Sequence, residues 1–447
     1  MIDAVLLLTG FFLYLVRTGN GTEQLIASLL LFVYMGISIA ARPARPRVHR
    51  VKCVLLLIII LLTVYHQNVE SISQRHARKP GFFVHDHSLQ MEEAVSFLVH
   101  GQNPYAMDYR GTPMEPFWRE NPALDHVIAL PFTFLKSVPF FLLWQGLFGW
   151  YDDRISQLAL FWIGIGALYF LFRDPDRKLA AVTLFVFNPL FSMFFEVGRS
   201  DVVFLSMLFA SLATLRRGHT QAALLFLVLS ATSKHMAWFM VPFFLTYLYA
   251  TGYLKTHPIK KLAPSALLAC AIVLPFVLWD WHAFVDDIYG FPAGTLPSSY
   301  PIAGLGLSMA LVDLKIISNI HDPFPSALLQ LLLLPLLAVL IVDLKRRPGM
   351  GRMVLYYGAF LWPILFLSRF LYDNYLGVVI TVFGLALLLM HEESTNIRKE
   401  SSPSGSSEPR HGLPPLDREL GIERRAKRKA PSRMVDDTGF EPVTLRM

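Results

Sequence analysis

The sequence predicts an all-α, polytopic membrane protein. Of its 447 residues, 54% are hydrophobic and only 16% are charged, whereas a soluble protein carries about 25% charged residues. Apolar runs recur along the chain without the alternation that marks the strands of a membrane barrel. The basic residues stand in short clusters between these runs, as in cytoplasmic loops. This distribution argues against a nucleic-acid partner despite the net charge of +7.

The first 52 residues form one predicted unit, made of two apolar runs and a basic segment. The runs cover residues 2–16 and 24–41, and residues 42–52 include five Lys or Arg residues. Basic residues next to a span mark its cytoplasmic side. We therefore expect residues 42–52 to face the cytoplasm.

Residues 53–390 form the predicted transmembrane domain. An apolar run at 53–65 leads into a large outer loop at 66–125. Residues 126–149 are apolar but interrupted by two prolines and a lysine. They predict a broken or re-entrant helix pair whose ends return to the same side.

Nine further spans follow, and they place the basic clusters on one side of the membrane. Together with the three earlier runs they give about twelve spans with both termini in the cytoplasm. The predicted spans are residues 155–172, 179–195, 202–215, 221–233, 236–253, 262–279, 325–343, 353–368 and 375–390. Residues 391–447 are rich in Ser, Pro and charge, and predict a disordered basic cytoplasmic tail.

The polar stretch at residues 84–105 carries the first candidate for chemistry. Asp86 lies in it between two histidines, just beyond a span. Asp86 or Ser88 can instead cap a helix that runs to Val99 and stops before Gly101.

A metal site in the same stretch is a further reading. It would use His85, Asp86 and His87 with Glu92 or Glu93. Consecutive side chains rarely converge on one ion, so we do not favour a metal.

Isolated ionisable residues at the predicted outer ends of spans form the second group of candidates. Glu196, Arg199 and Asp201 lie close together in FEVGRSD. They read equally well as functional groups or as an Arg–Asp pair that ties two helices together.

Lys234, His235 and Arg369 interrupt apolar sequence without basic neighbours. Isolated cations at one membrane boundary suit a phosphate group. The aromatic interval 279–300 reads first as an interfacial belt and second as the wall of a sugar or lipid site.

Three segments resemble the GT-C superfamily of integral-membrane glycosyltransferases, in its bacterial and archaeal α-mannosyltransferase-like branch. They are the EAxxFLxxGxNPY-like stretch 93–105, the NPL…GRSD segment 188–201, and the ATSK segment 231–234 followed by residues 238–245. The resemblance covers roughly residues 51–390.

The resemblance implies specific roles for the candidate residues. The family places its catalytic aspartate in the first large outer loop, which points to Asp86, with Glu92 and Glu93 in reserve. Basic residues at outer span ends contact the lipid phosphate in the family, which points to Arg199, Lys234 and Arg369. The remaining expected substrate-binding residues are Glu93, Tyr105, Asp201 and His235.

The resemblance also implies a reaction. A polyprenyl-phosphate sugar, possibly of mannose, would pass its sugar with inversion to a hydroxyl of a glycan or glycolipid acceptor. The reaction would take place on the extracytoplasmic face of the cell (inner) membrane. We expect no cofactor, and the sequence contains no Walker A loop, dinucleotide fingerprint or HExxH motif. A transporter or flippase for a lipid-linked or polar substrate is the alternative, and an inactive membrane scaffold is a third reading.

Overall fold

The computed structural model describes residues 1–18, 21–40, 46–77, 83–117 and 122–401. Within them the protein is almost entirely helical. Residues 42–45 of the predicted basic segment, parts of the predicted outer loop (78–82 and 118–121) and residues 402–447 of the predicted tail lie outside the described residues.

The N-terminal helices pack on the rest of the chain. They share one hydrophobic core with the later helices, and α1 lies against α9 (Pro175–Val186). Their bounds are α1 Ile2–Thr18, α2 Thr22–Ala40, α3 Pro46–Ile60 and α4 His66–Ala77.

The third predicted span is longer in the structure than expected. The π-helical turn Leu61–Tyr65 joins α3 to α4, so one continuous helix runs from Pro46 to Ala77. Lys52, expected in a cytoplasmic loop, is buried in this helix and lies 2.5 Å from Asp3. Residues 66–77, expected at the start of the outer loop, are therefore helical.

The segment after α4 contains short helices. As predicted, one helix ends at Val99, but its N-cap is His85 and not Asp86 or Ser88. Residues 126–149 are broken by a turn at Lys136 and Ser137. The helices are α5 Asp86–Val99, α6 Phe132–Leu135 and α7 Val138–Phe148, with 3-10 turns at Pro104–Ala106, Glu115–Phe117 and Pro122–Leu124.

The central helices follow the predicted apolar runs closely. They are α8 Asp153–Leu171, α9 Pro175–Val186, α10 Pro189–Glu196, α11 Asp201–Arg216, α12 Thr220–Ala231, α13 Val241–Ala250 and α14 Pro258–Trp279. The 3-10 helices His235–Met240 and Tyr253–Lys255 flank α13.

The last part of the chain alternates short and long elements. The last helix continues past residue 390, where the tail was expected to begin. The elements are α15 Trp281–Val285, the π-helical turn Asp286–Gly290, α16 Phe291–Ala293, β1 Ala303–Gly304, α17 Leu307–Asp313, α18 Ser326–Leu331, α19 Leu334–Arg346, α20 Met350–Phe366, β2 Phe370–Leu371 and α21 Asp373–Ser401. The two strands pair in parallel, with Ala303 opposite Phe370.

Capping residues explain several boundaries. Asp174 and Asn188 accept from the amides of Arg177 and Leu190, and a proline follows each cap at the first helical position. Such caps satisfy amides that have no partner inside the helix. The second cap also separates α9 from α10, which bend by 54°.

Six described helices are long and apolar enough to cross a membrane, or seven if the bent pair α9–α10 counts as one span. The six are Thr22–Ala40, Pro46–Ala77, Asp153–Leu171, Pro258–Trp279, Ser326–Arg346 and Asp373–Thr395.

Basic residues of α9 and α11 lie together at one end of the helical bundle, beside α21. Arg216 at the end of α11 lies 2.7 Å from Glu392 of α21, and Arg177 near the start of α9 lies 2.7 Å from His391. At the other end of the bundle, α11 begins at Asp201 and α21 begins at Asp373. We call these the basic end and the acidic end of the bundle.

A buried charge network holds α5 in place. Arg75 of α4 donates to both carboxylate oxygens of Glu92 at 2.6 and 2.7 Å and to Asp152 at 2.7 Å. Lys136 lies 2.8 Å from Asp153, whose amide donates to Glu92 at 2.9 Å. The network contains three cations and three carboxylates, all buried: Arg75, Lys136, Arg154, Glu92, Asp152 and Asp153.

We predict that Arg75→Gln destabilises the protein strongly. The substitution leaves the buried Glu92 carboxylate without its cation, while Asp152 keeps Arg154, and an unpaired buried charge costs about 3–5 kcal/mol. Thermal unfolding of the purified protein in detergent measures the loss. Arg110→Gln is the control, because Arg110 pairs with Asp108 and Asp125 but is half exposed. Equal melting temperatures for the wild type and Arg75→Gln would contradict the prediction.

Candidate functional site

A cavity of about 390 Å³ lies at the acidic end of the bundle. The start of α5, the turn before α11, the segment after α12 and the connection between α20 and α21 form its walls. Five of the predicted site residues line it: Asp86, Arg199, Lys234, His235 and Arg369. Residues that are far apart in sequence therefore meet at one place.

A tight turn brings Asp86 close to Arg199. The amide of His85 donates to the carbonyl of Val197 at 2.7 Å, and this bond docks the start of α5 on the turn. Gly198 has φ +92°, and a Cβ atom there would lie 2.4 Å from the Ser88 hydroxyl oxygen. Only glycine fits this conformation and this spacing.

Asp86 is held as a carboxylate at the first position of α5. His85 Nδ1 lies 2.5 Å from Asp86 Oδ1, and the His87 amide donates to the same oxygen at 2.7 Å. Burial opposes its ionisation, but these donors outweigh burial and lower the pKa of Asp86 to about 2. The helix N-terminus also favours a negative charge there.

Asp201 neutralises Lys234. The ammonium group of Lys234 donates to Asp201 Oδ1, and the side-chain amide of Asn374 donates to Asp201 Oδ2 at 2.6 Å. The prediction that Lys234 is an isolated cation is therefore wrong. Its charge is matched within the wall of the cavity.

Arg199 pairs with an amide and with aromatic rings. It donates to the side-chain oxygen of Asn374 at 2.5 Å, and its guanidinium lies 4.4 Å from the ring centre of Phe194 and 5.2 Å from that of Tyr372. Its Nε is buried without a hydrogen-bond partner. The Arg199–Asp201 pair, one of the two readings of the sequence, does not form; Asp201 pairs with Lys234 instead.

Arg369 is held by backbone carbonyls. Its guanidinium donates to the carbonyl oxygens of Tyr300 at 2.6 Å, Asp322 at 2.8 Å and Ile320 at 3.3 Å. The side chain is 2% exposed. It fixes the segment between residues 300 and 322 and still borders the cavity.

The charges of the cavity do not balance. Lys234 is paired with Asp201, and Asp86 lies against His85. In the described part of the chain no carboxylate lies within salt-bridge distance of Arg199 or Arg369. Two fixed cations therefore face a shared space, which is an arrangement that suits an anionic group.

Two half-buried histidines add neutral polar atoms. Burial lowers the pKa of His87 to about 4 and that of His235 to about 4. The Nε2 atom of each is buried without a hydrogen-bond partner. Both rings line the cavity and can bond to a hydroxylated ligand.

The aromatic interval 279–300 divides between its two expected roles. Trp279 and Trp281 are exposed on the surface, as an interfacial belt requires. Tyr289 and Tyr300 instead line the cavity. The Tyr300 hydroxyl also accepts from Tyr372 at 2.7 Å, which joins this interval to the segment before α21.

Five candidate residues do not line the cavity: Glu92, Glu93, Tyr105, Glu196 and Asp201. Tyr105 lies in the core beside α5, where its hydroxyl donates to the Ala129 carbonyl at 2.7 Å. Glu93 is half-buried outside the cavity lining, and burial raises its pKa. Glu92 is bound to Arg75 and is structural.

Sequence reasoning did not single out Asn374, which joins Arg199 to Asp201. Asn374 is uncharged and follows an aspartate in DNY, so the sequence contains no signal that marks it as a site residue. No group of three or more metal-ligating side chains occurs among the described residues.

No family model, curated protein or solved structure matches this chain. The resemblance to the GT-C superfamily therefore stays a prediction.

We predict that the protein loses stability as the pH falls from 6.5 to 4. The pKa of His87 and of His235 is lower in the folded state than the ordinary value of 6.5, so the unfolded chain binds more protons in this range. Each ring then contributes a loss on the order of 3 kcal/mol.

The melting temperature measured from pH 7 to pH 4 checks this expectation. The double variant His87→Gln/His235→Gln should show a flatter dependence on pH than the wild type. His100→Gln is the control, because His100 is exposed at the end of α5. Identical slopes for the wild type and the double variant would refute the assignment.

Proposed function

We propose that the protein is a membrane glycosyltransferase that moves a sugar from a polyprenyl-phosphate donor to an acceptor hydroxyl. The observation that carries the proposal is one cavity lined by the Asp86 carboxylate and by two arginines that have no carboxylate partner among the described residues. A phosphate group supplies the missing negative charge. A carboxylate in the same cavity can accept the proton of the incoming hydroxyl.

The donor phosphate binds between Arg199 and Arg369. The bond between the anomeric carbon and the phosphate oxygen breaks with its electron pair on that oxygen, and fixed cations stabilise the growing charge. Trp238 and Phe239 lie in the same wall and offer apolar contact to the lipid chain.

Asp86 accepts the proton of the acceptor hydroxyl as that oxygen attacks the anomeric carbon. With a pKa of about 2, Asp86 stays ionised over the working pH range and is a weak base before the reaction. Proton transfer therefore comes late, once the new bond has made the hydroxyl acidic. Single displacement inverts the anomeric centre, as the resemblance implies.

The proposed topology has about twelve spans, with both termini on the cytoplasmic side of the cell membrane. Its support is the separation of the two ends of the bundle. Arg216 and Arg177 mark the basic end, and the cavity lies at the acidic end. Basic residues face the cytoplasm in most membrane proteins, so the cavity would open to the outside.

We predict that Asp86→Asn lowers sugar transfer by about 10²–10⁴-fold, because the amide cannot accept the proton. Transfer from a radiolabelled polyprenyl-phosphate sugar in proteoliposomes measures the effect. Asp108→Asn is the control, since Asp108 is exposed in the outer segment away from the cavity.

Full transfer by Asp86→Asn would overturn the role of Asp86. Movement of the lipid across the bilayer without sugar transfer by the wild type would favour a flippase instead.

We predict that Arg199→Gln weakens binding of the lipid donor by about 10–100-fold, because one charge-assisted hydrogen bond is lost. The KM for the donor should rise while the KM for the acceptor stays constant. Arg217→Gln is the matched control, since Arg217 lies at the opposite end of α11 and donates to the Phe170 carbonyl. An unchanged donor KM in Arg199→Gln would remove Arg199 from the phosphate site.

A further inference from the structure

Beside the cavity, a histidine joins a buried carboxylate to a serine hydroxyl. His126 Nδ1 lies 2.7 Å from Asp287 Oδ1, and His126 Nε2 lies 2.7 Å from the hydroxyl oxygen of Ser298. Asp287 is 2% exposed and His126 is 13% exposed. Asp287 and Ser298 lie in the interval 279–300, and His126 lies more than 150 positions before them.

The hydrogen bonds around Asp287 fix the state of the ring. The Val127 amide donates to Asp287 Oδ2 at 2.8 Å, so both carboxylate oxygens act as acceptors. His126 Nδ1 therefore carries the proton, and Nε2 presents its lone pair to the Ser298 hydroxyl. A hydroxyl that donates to such a nitrogen is an activated nucleophile.

The ring is held in position from its other side as well. It stacks on Phe291 with ring centres 4.8 Å apart, and Gln90 donates to the His126 carbonyl at 2.8 Å. A clamp of this kind keeps a general base aligned with its nucleophile.

The surroundings of Ser298 suit an ester with an apolar acyl group. Ser298 is partly exposed, and its amide donates to no acceptor in the described part of the chain. That amide is free to bond to an oxyanion that forms at the serine. His126 borders the cavity, whose neighbouring wall contains Ile128 and Ile288.

We propose that Ser298, His126 and Asp287 form a second reactive site, which cleaves carboxylic esters of apolar acyl groups. Ser298 Oγ attacks the carbonyl carbon while its proton moves to His126 Nε2. The carbon–oxygen bond of the ester then breaks, and the leaving alcohol takes the proton from His126. A water molecule then attacks the acyl carbon and gives a proton to His126 Nε2. The bond to Ser298 Oγ breaks, Oγ takes that proton, and the acyl group leaves as a carboxylic acid. No part of this chemistry uses Asp86 or a lipid-linked sugar.

A fluorophosphonate probe tests the proposal on the full-length protein in detergent. The activated hydroxyl displaces fluoride from phosphorus, and mass spectrometry of the digested protein locates the label. We expect one label on Ser298 and hydrolysis of p-nitrophenyl esters by the wild type. Ser298→Ala should lose both, and His126→Gln should react about 10²–10³-fold more slowly.

Ser299→Ala is the matched control. The Ser299 hydroxyl accepts from the Leu296 amide at 2.8 Å and is not bonded to His126, so this variant should label as the wild type does. The probe needs no sugar donor, so this proposal can fail or hold independently of the sugar-transfer assay. An unlabelled wild type with a normal melting temperature, or a label on another serine, would overturn the proposal.

Discussion

The buried network around Arg75 and Glu92 is the constraint on which the site depends. It ties α4, α5 and the start of α8 together in a region from which water is excluded. Charges of this kind are costly to bury and are tolerated only when each finds its partner. Because the partners lie at fixed positions on three helices, α5 has one orientation. The carboxylate of Asp86 at its first turn is thereby directed towards the cavity.

Much of the helical framework could be read from the sequence. Apolar runs located most of the long helices, but the single span predicted at 179–195 is two helices, which begin after the caps Asp174 and Asn188. The convergence of Asp86 and Arg199 was also foreseeable, because both were placed at span ends on one side. Pairings were not foreseeable. Arg75 and Asp152 lie 77 positions apart, and no local pattern links such residues.

The cavity contains one cation that is paired with a carboxylate and one that, among the described residues, is not. Lys234 has a carboxylate partner in Asp201, and the two together are electrically neutral. Arg199 receives an amide oxygen and aromatic faces, which orient its charge without cancelling it. The sequence suggested the opposite pairing, since Asp201 follows Arg199 by two positions and Lys234 has no acidic neighbour. The difference between them lies in Asn374, an uncharged residue that gave no signal of its own.

Arg369 is a second example, because in the described part of the chain its guanidinium is held by backbone carbonyls alone. Carbonyl dipoles fix a cation in space but leave its field intact. The chain thus folds with an electrostatic deficit that a bound anion can complete. An anion bound there would lower the free energy of the folded state alone. It would act as a missing structural element and hold the segment from residue 300 to residue 322 in place.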